Sequence, residues 1–276
     1  MQRTGSIGVF DSGYGGLTVF KELVAALPQY NFTYLGDNAR VPYGTRSFET
    51  VYKYTWQCVQ SLFAQNCNLV ILACNTASAK ALRSIQQNNL PHLAAKKKVL
   101  GVIRPTTEIA GKLTQNGHLG IFATEGTVQS QSYRIEIERF YPEIQVSQEA
   151  CPMWVPLVEN GHSGTSASDV FVQENIENLL KKDPEIDSVL LACTHYPLLY
   201  DKIRTFLPKH IQIVSQGHIV AKSLVDYLQR HPEIENQCAK NEERRFLTTD
   251  SPEDFNNLAQ KFLGHIVSSE YVDVSC

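Results

Sequence analysis

The chain reads as an α/β protein of two similar domains, each with a mainly parallel sheet covered by helices and with a site in the cleft between them. Three observations predict this. Strand-like and helix-like patterns alternate from the first residues onward, as they do where parallel strands are joined by crossover helices. Two segments, Leu69-Val70-Ile71-Leu72-Ala73-Cys74 and Ser188-Val189-Leu190-Leu191-Ala192-Cys193, read almost alike, as equivalent strands of two related halves would. The 276 residues, 43% of them hydrophobic, leave room for one large or two medium domains around a real core.

The elements follow in chain order. Ile7-Gly8-Val9-Phe10 is the first strand, ending at Asp11. In the turn Asp11-Ser12-Gly13-Tyr14-Gly15-Gly16, glycines supply backbone freedom and Asp11 is expected to cap the next helix. That helix buries Phe20, Leu23, Val24 and Leu27 and stops at Pro28. Phe32-Thr33-Tyr34-Leu35 is a second strand, running into the loop from Gly36 to Gly44. A helix from about Ser47 places Val51, Thr55, Cys58, Val59, Leu62 and Phe63 on one face, and the third strand then delivers Cys74.

After Lys96-Lys97-Lys98, read as a solvated stretch, a second series opens with Val99-Leu100-Gly101-Val102-Ile103. It continues with Leu119-Gly120-Ile121-Phe122-Ala123 and Ile144-Gln145-Val146. Residues 151–165 read as a long loop. A helix follows with Ser166 as cap and Asp169 three residues on, a capping-box variant, and its inner stripe is Val172, Ile176, Leu179 and Leu180. Val189-Leu190-Leu191 then delivers Cys193. Ile211-Gln212-Ile213-Val214 and Arg245-Phe246-Leu247-Thr248-Thr249 are further strands. Ser251-Pro252-Glu253-Asp254 starts the last helix, with serine as cap and proline in the first turn.

Composition narrows the function classes. A net charge of −3 carries no electrostatic field for nucleic acid. No apolar stretch approaches the roughly 18 residues needed to cross a bilayer, and the first residues show no cleavable leader pattern. A cytoplasmic protein with no membrane partner is expected. Seven cysteines, at 58, 67, 74, 151, 193, 238 and 276, include no C-x-x-C pair and no histidines spaced for zinc. Reduced thiols and no bound metal are therefore expected.

Cys74 and Cys193 carry the chemical argument. In open α/β sheets ligands bind beyond the carboxyl ends of the strands. A single cysteine there is usually a small hydrophobe, and Cys58 and Cys67 keep that reading. Two matched thiols instead suggest one chemical group on each side of a substrate, the arrangement a two-base racemase needs. A helix N-terminus beside each sulfur is expected to lower its pKa toward neutrality, with Asn75 and Thr194 as adjacent donors. Asp11 and Ser12 put an acid and a hydroxyl at the same sheet end. A nucleotide site is disfavoured, because Thr18 stands where the third glycine of G-x-G-x-x-G would be. His195 can orient or protonate a group near Cys193, and Tyr43-Gly44 alone is an ordinary turn. A two-domain binding protein would explain the cleft but leave the paired thiols without a purpose.

These segments together resemble the glutamate racemases, the cofactor-independent amino-acid racemases of bacterial cell-wall synthesis. The stretches that match run from Gly8 to Leu17, Gly36 to Gly44, Ala73 to Ala79 and Ala192 to Leu199, in the family's order and spacing. Ala192 stands where the family usually has glycine, and Thr248-Thr249-Asp250-Ser251 only approximates its Thr-Thr-Gly-Asp. The resemblance implies a first domain of residues 1–98 plus 215–276 and a second of 99–214. It implies Cys74 and Cys193 as the acid/base pair, with Asp11, His195 and Glu159 assisting. Asp11, Ser12, Tyr43, Gly44, Asn75, Thr76, Thr194 and His195 are then expected to hold L- or D-glutamate. No cofactor is implied, and a homodimer is the family's common assembly. An aspartate racemase is the nearest enzymatic alternative, since these residues do not measure side-chain length.

Overall fold

Hydrophobic alternation sorts the chain into two parallel sheets. The computed structural model describes residues 5–93 and 96–274; residues 1–4 and Cys276, read above, lie outside them. The first sheet holds β1 (Ser6–Asp11), β2 (Phe32–Gly36), β3 (Cys67–Leu72), β4 (Lys98–Gly101), β9 (Arg244–Thr248) and β10 (Ser269–Tyr271), in the order β10-β9-β2-β1-β3-β4. The second holds β5 (His118–Ala123), β6 (Gln145–Ala150), β7 (Ser188–Ala192) and β8 (Gln212–Ser215), in the order β6-β5-β7-β8. Every named pairing is parallel.

The central strands β1, β3, β5 and β7 are apolar on both sides because helices cover both faces. Ile7 and Val9 of β1 pack with Phe20 and Leu23 of the helix Leu17–Ala26 and with Leu224 of the helix Gly217–Arg230. Phe10, pointing the other way, packs with Val51, Val59 and Leu62 of the helix Phe48–Ala64. In β7, Val189 and Leu191 meet Val172, Ile176 and Leu179 of the helix Ser166–Lys182, while Leu190 and Ala192 meet Tyr133 and Ile137. This period-2 sorting makes the last strand residue set the direction of whatever follows.

Strand order then locates the site. The chain leaves β1 toward β2 on one side, whereas β3 leads to β4 on the other; β5 and β7 diverge likewise toward β6 and β8. Such switch points open a crevice at the strand carboxyl ends. Ser12 and Cys74 lie at the first, Thr124 and Cys193 at the second.

Three expectations change. Lys98–Gly101 pairs with β3 in the first sheet rather than opening the second series; a short aliphatic run does not encode its partner. Residues 151–165 contain a helix, Trp154–Glu159, where a loop was expected. Thr165, not Ser166, precedes the helix Ser166–Lys182, and no side chain caps it. Asp169 pairs instead with Lys202 of the next helix. By contrast, Ser251 caps as expected, accepting from the Asp254 amide at 3.3 Å, and Ser47 caps the helix that follows it, accepting from the Thr50 amide at 3.2 Å. Tail strands β9 and β10 return to the first sheet beside β2.

Candidate active site

Cys74 is delivered by β3 into the cap position of the helix Asn75–Lys80. Its Sγ accepts from the Ala77 amide at 3.4 Å and its S–H reaches the Ser12 hydroxyl at 3.5 Å. The expected lowering of this thiol does not occur. Burial, together with the nearby Asp11 carboxylate, pushes it up to about 12, against the weaker help of Ser12 and Ala77. A helix end offers fractional charge, too little to offset complete burial beside an acid.

Cys193 follows β7 and has a different neighbour. Its Sγ lies 3.9 Å from His195 Nδ1, and His195 Nε2 lies 3.0 Å from Glu159 Oε1. Burial alone would depress the imidazole. The Cys193 and Glu159 contacts outweigh it and raise His195 to about 10, so at neutral pH the ring is a cation between a sulfur and a carboxylate.

Glycine lets the two sheet ends meet. A Cβ on Gly15 would sit 2.4 Å from His195 Nδ1 and 2.5 Å from Thr194 Oγ1. The first turn therefore comes against the residues after β7, a distance no other side chain permits. Thr18 Oγ1 donates to the Thr194 carbonyl at 2.9 Å across this seam. Thr194 Oγ1 donates to Asp11 Oδ1 at 3.3 Å, and Asp11 Oδ2 accepts from the Gly13 amide at 3.0 Å. Asp11 does not cap the helix as expected: Gly16 directly precedes the first helix residue with no side-chain cap, and Asp11, five residues earlier, braces the turn instead. Opposite, the Gly126 amide donates to the Gly44 carbonyl at 2.8 Å and Thr76 Oγ1 lies 2.9 Å from Thr124 Oγ1.

Of the residues singled out from sequence, Ser12, Tyr43, Gly44, Cys74, Asn75, Thr76, Cys193, Thr194 and His195 line one pocket. Cys74 and Cys193 are 5% and 6% exposed there, close enough that the charge of Cys193 bears on Cys74's titration. Asp11 and Glu159 stand behind the wall, hydrogen-bonded to Thr194 and His195 respectively. Tyr43 lines the pocket, but its hydroxyl is given to buried Asp37, which also takes Arg40 and Thr249. Sequence reading missed Thr124, Glu125, Val155 and the third thiol, Cys151, all on the wall. Thr124 and Cys151 follow β5 and β6, so the strand-end rule that picked out Cys74 also points to them. Cys58 and Cys67 lie in the core, as expected. Among the described residues no group of three or more His, Cys, Asp or Glu is arranged to hold a metal ion.

Two buried thiols on facing strand ends, one with an anion behind it and one with a cation, can give and take a proton at one carbon. Residues 7–224 match the Asp/Glu/Hydantoin racemase family. The chain belongs to that family. The glutamate racemase of Persephonella marina is 38% identical over 271 residues, 98% of each chain. Among solved structures, a glutamate racemase from Bacillus anthracis superposes with a TM-score of 0.89 at 35% identity, covering 99% of this chain and 98% of that one. The glutamate racemase of Francisella tularensis, solved with D-glutamate, gives 0.85 at 32% identity and covers 98% of both chains.

Proposed function

We propose that this racemase interconverts L- and D-glutamate, with Cys74 and Cys193 as the two acid/base groups on opposite faces of Cα. The observation that carries the reading is the placement of both sulfurs in one pocket, each at the switch point of its own sheet. The family and the D-glutamate complex of the Francisella tularensis relative support the substrate.

In the resting site Cys74 holds its proton, since burial and Asp11 disfavour its thiolate. Cys193, with a cationic His195 beside it, is the sulfur equipped to act as base. It removes the α-proton on one face while Cys74 delivers its own to the other, inverting the centre. The reverse direction needs a thiolate at Cys74, where Asp11 repels it. The ammonium of the bound amino acid supplies the missing positive charge. An amino-acid α-carbon is a weak acid, so the carbanion needs preorganised donors and little water. Ser12, Asn75, Thr76, Thr194 and the Tyr43-Gly44 turn supply that donor wall. Glu159 holds the His195 ring by its far nitrogen, and Asp11 holds Thr194.

The product feeds peptidoglycan synthesis in the cytoplasm; among the described residues no helix is long and apolar enough to cross a membrane. The pocket lies between two units divided after β4, near residue 101, and near residue 215, whose relative movement admits substrate, and the family's common dimer is carried over as the assembly, checked by sedimentation. The direct test is turnover of L-glutamate in D2O. D-Glutamate carrying deuterium at Cα is expected, with aspartate turned over far more slowly in parallel. Retention of the α-hydrogen in the D-product, or equal turnover of aspartate, overturns the mechanism or the substrate respectively.

A further inference from the structure

A closed ring of three hydrogen bonds lies behind Asn75. Asn75 Nδ2 donates to Gln216 Oε1 at 2.9 Å, Gln216 Nε2 donates to the Tyr133 hydroxyl at 2.6 Å, and that hydroxyl donates to Asn75 Oδ1 at 2.5 Å. The members come from distant parts of the chain. Asn75 directly follows Cys74, Tyr133 sits in the helix Ser132–Phe140, and Gln216 directly follows β8. Their exposures are 3%, 0% and 4%, so each bond forms out of water, where a missing partner is costly.

The direction of the ring is set from outside it. Gln216 Nε2 also lies 3.0 Å from Thr106 Oγ1 and 3.4 Å from the Val102 carbonyl, and Thr106 Oγ1 gives its own proton to that carbonyl at 3.2 Å. An amide oxygen turned toward Val102 would face another acceptor. Gln216 must therefore point its nitrogen there and its oxygen at Asn75, and the other two bonds follow.

We infer that Tyr133 and Gln216 are positioning residues for racemisation, acting through Asn75. Tyr133 engages the Asn75 oxygen and the ring uses one of its two amide hydrogens, so what Asn75 offers the pocket is its second N–H. A donor suits a carboxylate of the bound amino acid; a flipped amide would set oxygen against oxygen. The ring also ties the residue after Cys74 to a helix that covers the second sheet and to the residue directly after its strand β8, and so holds the Asn75 amide in place. This rests on the glutamate-racemase reading.

The test is steady-state racemisation of glutamate by Tyr133→Phe, Gln216→Met, Asn75→Ala and the double variant Asn75→Ala/Tyr133→Phe. Loss of an N–H held equally to ground and transition states raises KM and spares kcat. Tyr133→Phe and Gln216→Met are each expected to raise KM about 10-fold, with kcat within about 3-fold, as for loss of one aligned hydrogen bond to a charged group. Tyr133→Phe should add little on the Asn75→Ala background, because residues acting as a unit are non-additive. If Tyr133→Phe does not fold, Gln216→Met and its double variant with Asn75→Ala carry the same comparison. An unchanged KM, or the same loss with and without Asn75, overturns the positioning role alone. No turnover by the unaltered protein removes the racemase reading, and this proposal with it.

Discussion

Cys74 and Cys193 follow equivalent strands into the same pocket, yet what stands behind each sulfur differs in sign. Cys74 has the Asp11 carboxylate near it and a hydroxyl and one amide for partners. Cys193 has an imidazole held at its far side by Glu159. Two similar sheets deliver two similar thiols, and residues from outside the repeated strand then give one an anion and the other a cation for a neighbour. Helix ends are common to many strand-to-helix turns. The difference comes from charge brought in by long-range packing.

The largest effect should come from the sulfurs themselves. Cys74→Ala and Cys193→Ala should each lower racemisation by about 10³-fold or more, the scale of a lost acid/base group. The two variants should differ in exchange without racemisation. Cys74→Ala keeps the equipped base and should still wash deuterium from one enantiomer of labelled glutamate. Full racemisation by either variant would end the two-thiol proposal.

Gly15→Ala comes next, and it attacks one half only. The added methyl would overlap His195 and Thr194, with contacts at 2.4 and 2.5 Å. A displacement near 1 Å at a catalytic group costs about 100-fold in rate, and that loss is expected here. Iodoacetamide labelling should change at Cys193 and stay near its original rate at Cys74. Equal changes at both would show that the turn serves the whole pocket and not the Cys193 side.

Much of this was legible in the chain, and the exceptions share a cause. The two aliphatic runs ending in cysteine, the serine cap at Ser251 and the helix stripes are local patterns, and they appear where the spacing puts them. β4 was read into the second series because Val99 and Leu100 look the same beside either sheet. The helix Trp154–Glu159 spans six residues with Pro156 among them, too short for a period to show. Glu159 was named only through the resemblance, as loop glutamates are usually solvated. The ring through Tyr133 and Gln216 joins residues 83 apart, and side-chain bonds over that distance leave no spacing to read. The pKa direction at Cys74 failed for the same reason: its cause is burial against Asp11, a neighbour in space and not in sequence.

A smaller effect lies in the pH response of the Cys193 side. His195 titrates at about 10 when folded, above the roughly 6.5 of an unperturbed histidine. Its contribution to stability is therefore complete below about pH 6.5 and is lost as pH rises through about 10. Glu159→Gln removes the charge that faces the ring at 3.0 Å. In that variant the imidazole should titrate at lower pH, read from its ring-proton NMR shift, and the alkaline fall in activity should begin earlier. A loss of activity of about 10-fold at neutral pH is expected, the scale of one charge-assisted hydrogen bond. An unmoved imidazole titration would mean that Cys193 alone holds the proton on His195.

The smallest effects are at Cys74, and there two neighbouring substitutions should act in opposite directions. Asp11 raises this thiol and the Ser12 hydroxyl lowers it. Asp11→Asn should therefore speed alkylation of Cys74 at fixed pH, and Ser12→Ala should slow it. About 3-fold in the second case matches the loss of one neutral hydrogen bond, worth about 0.5–1.5 kcal/mol. Both variants should racemise more slowly, since each residue supports the pocket, so rate alone does not separate them. The sign of the alkylation change does. If both substitutions moved it the same way, access to the pocket rather than charge would govern Cys74, and the contrast between the two sulfurs would have to rest on Cys193 and its imidazole alone.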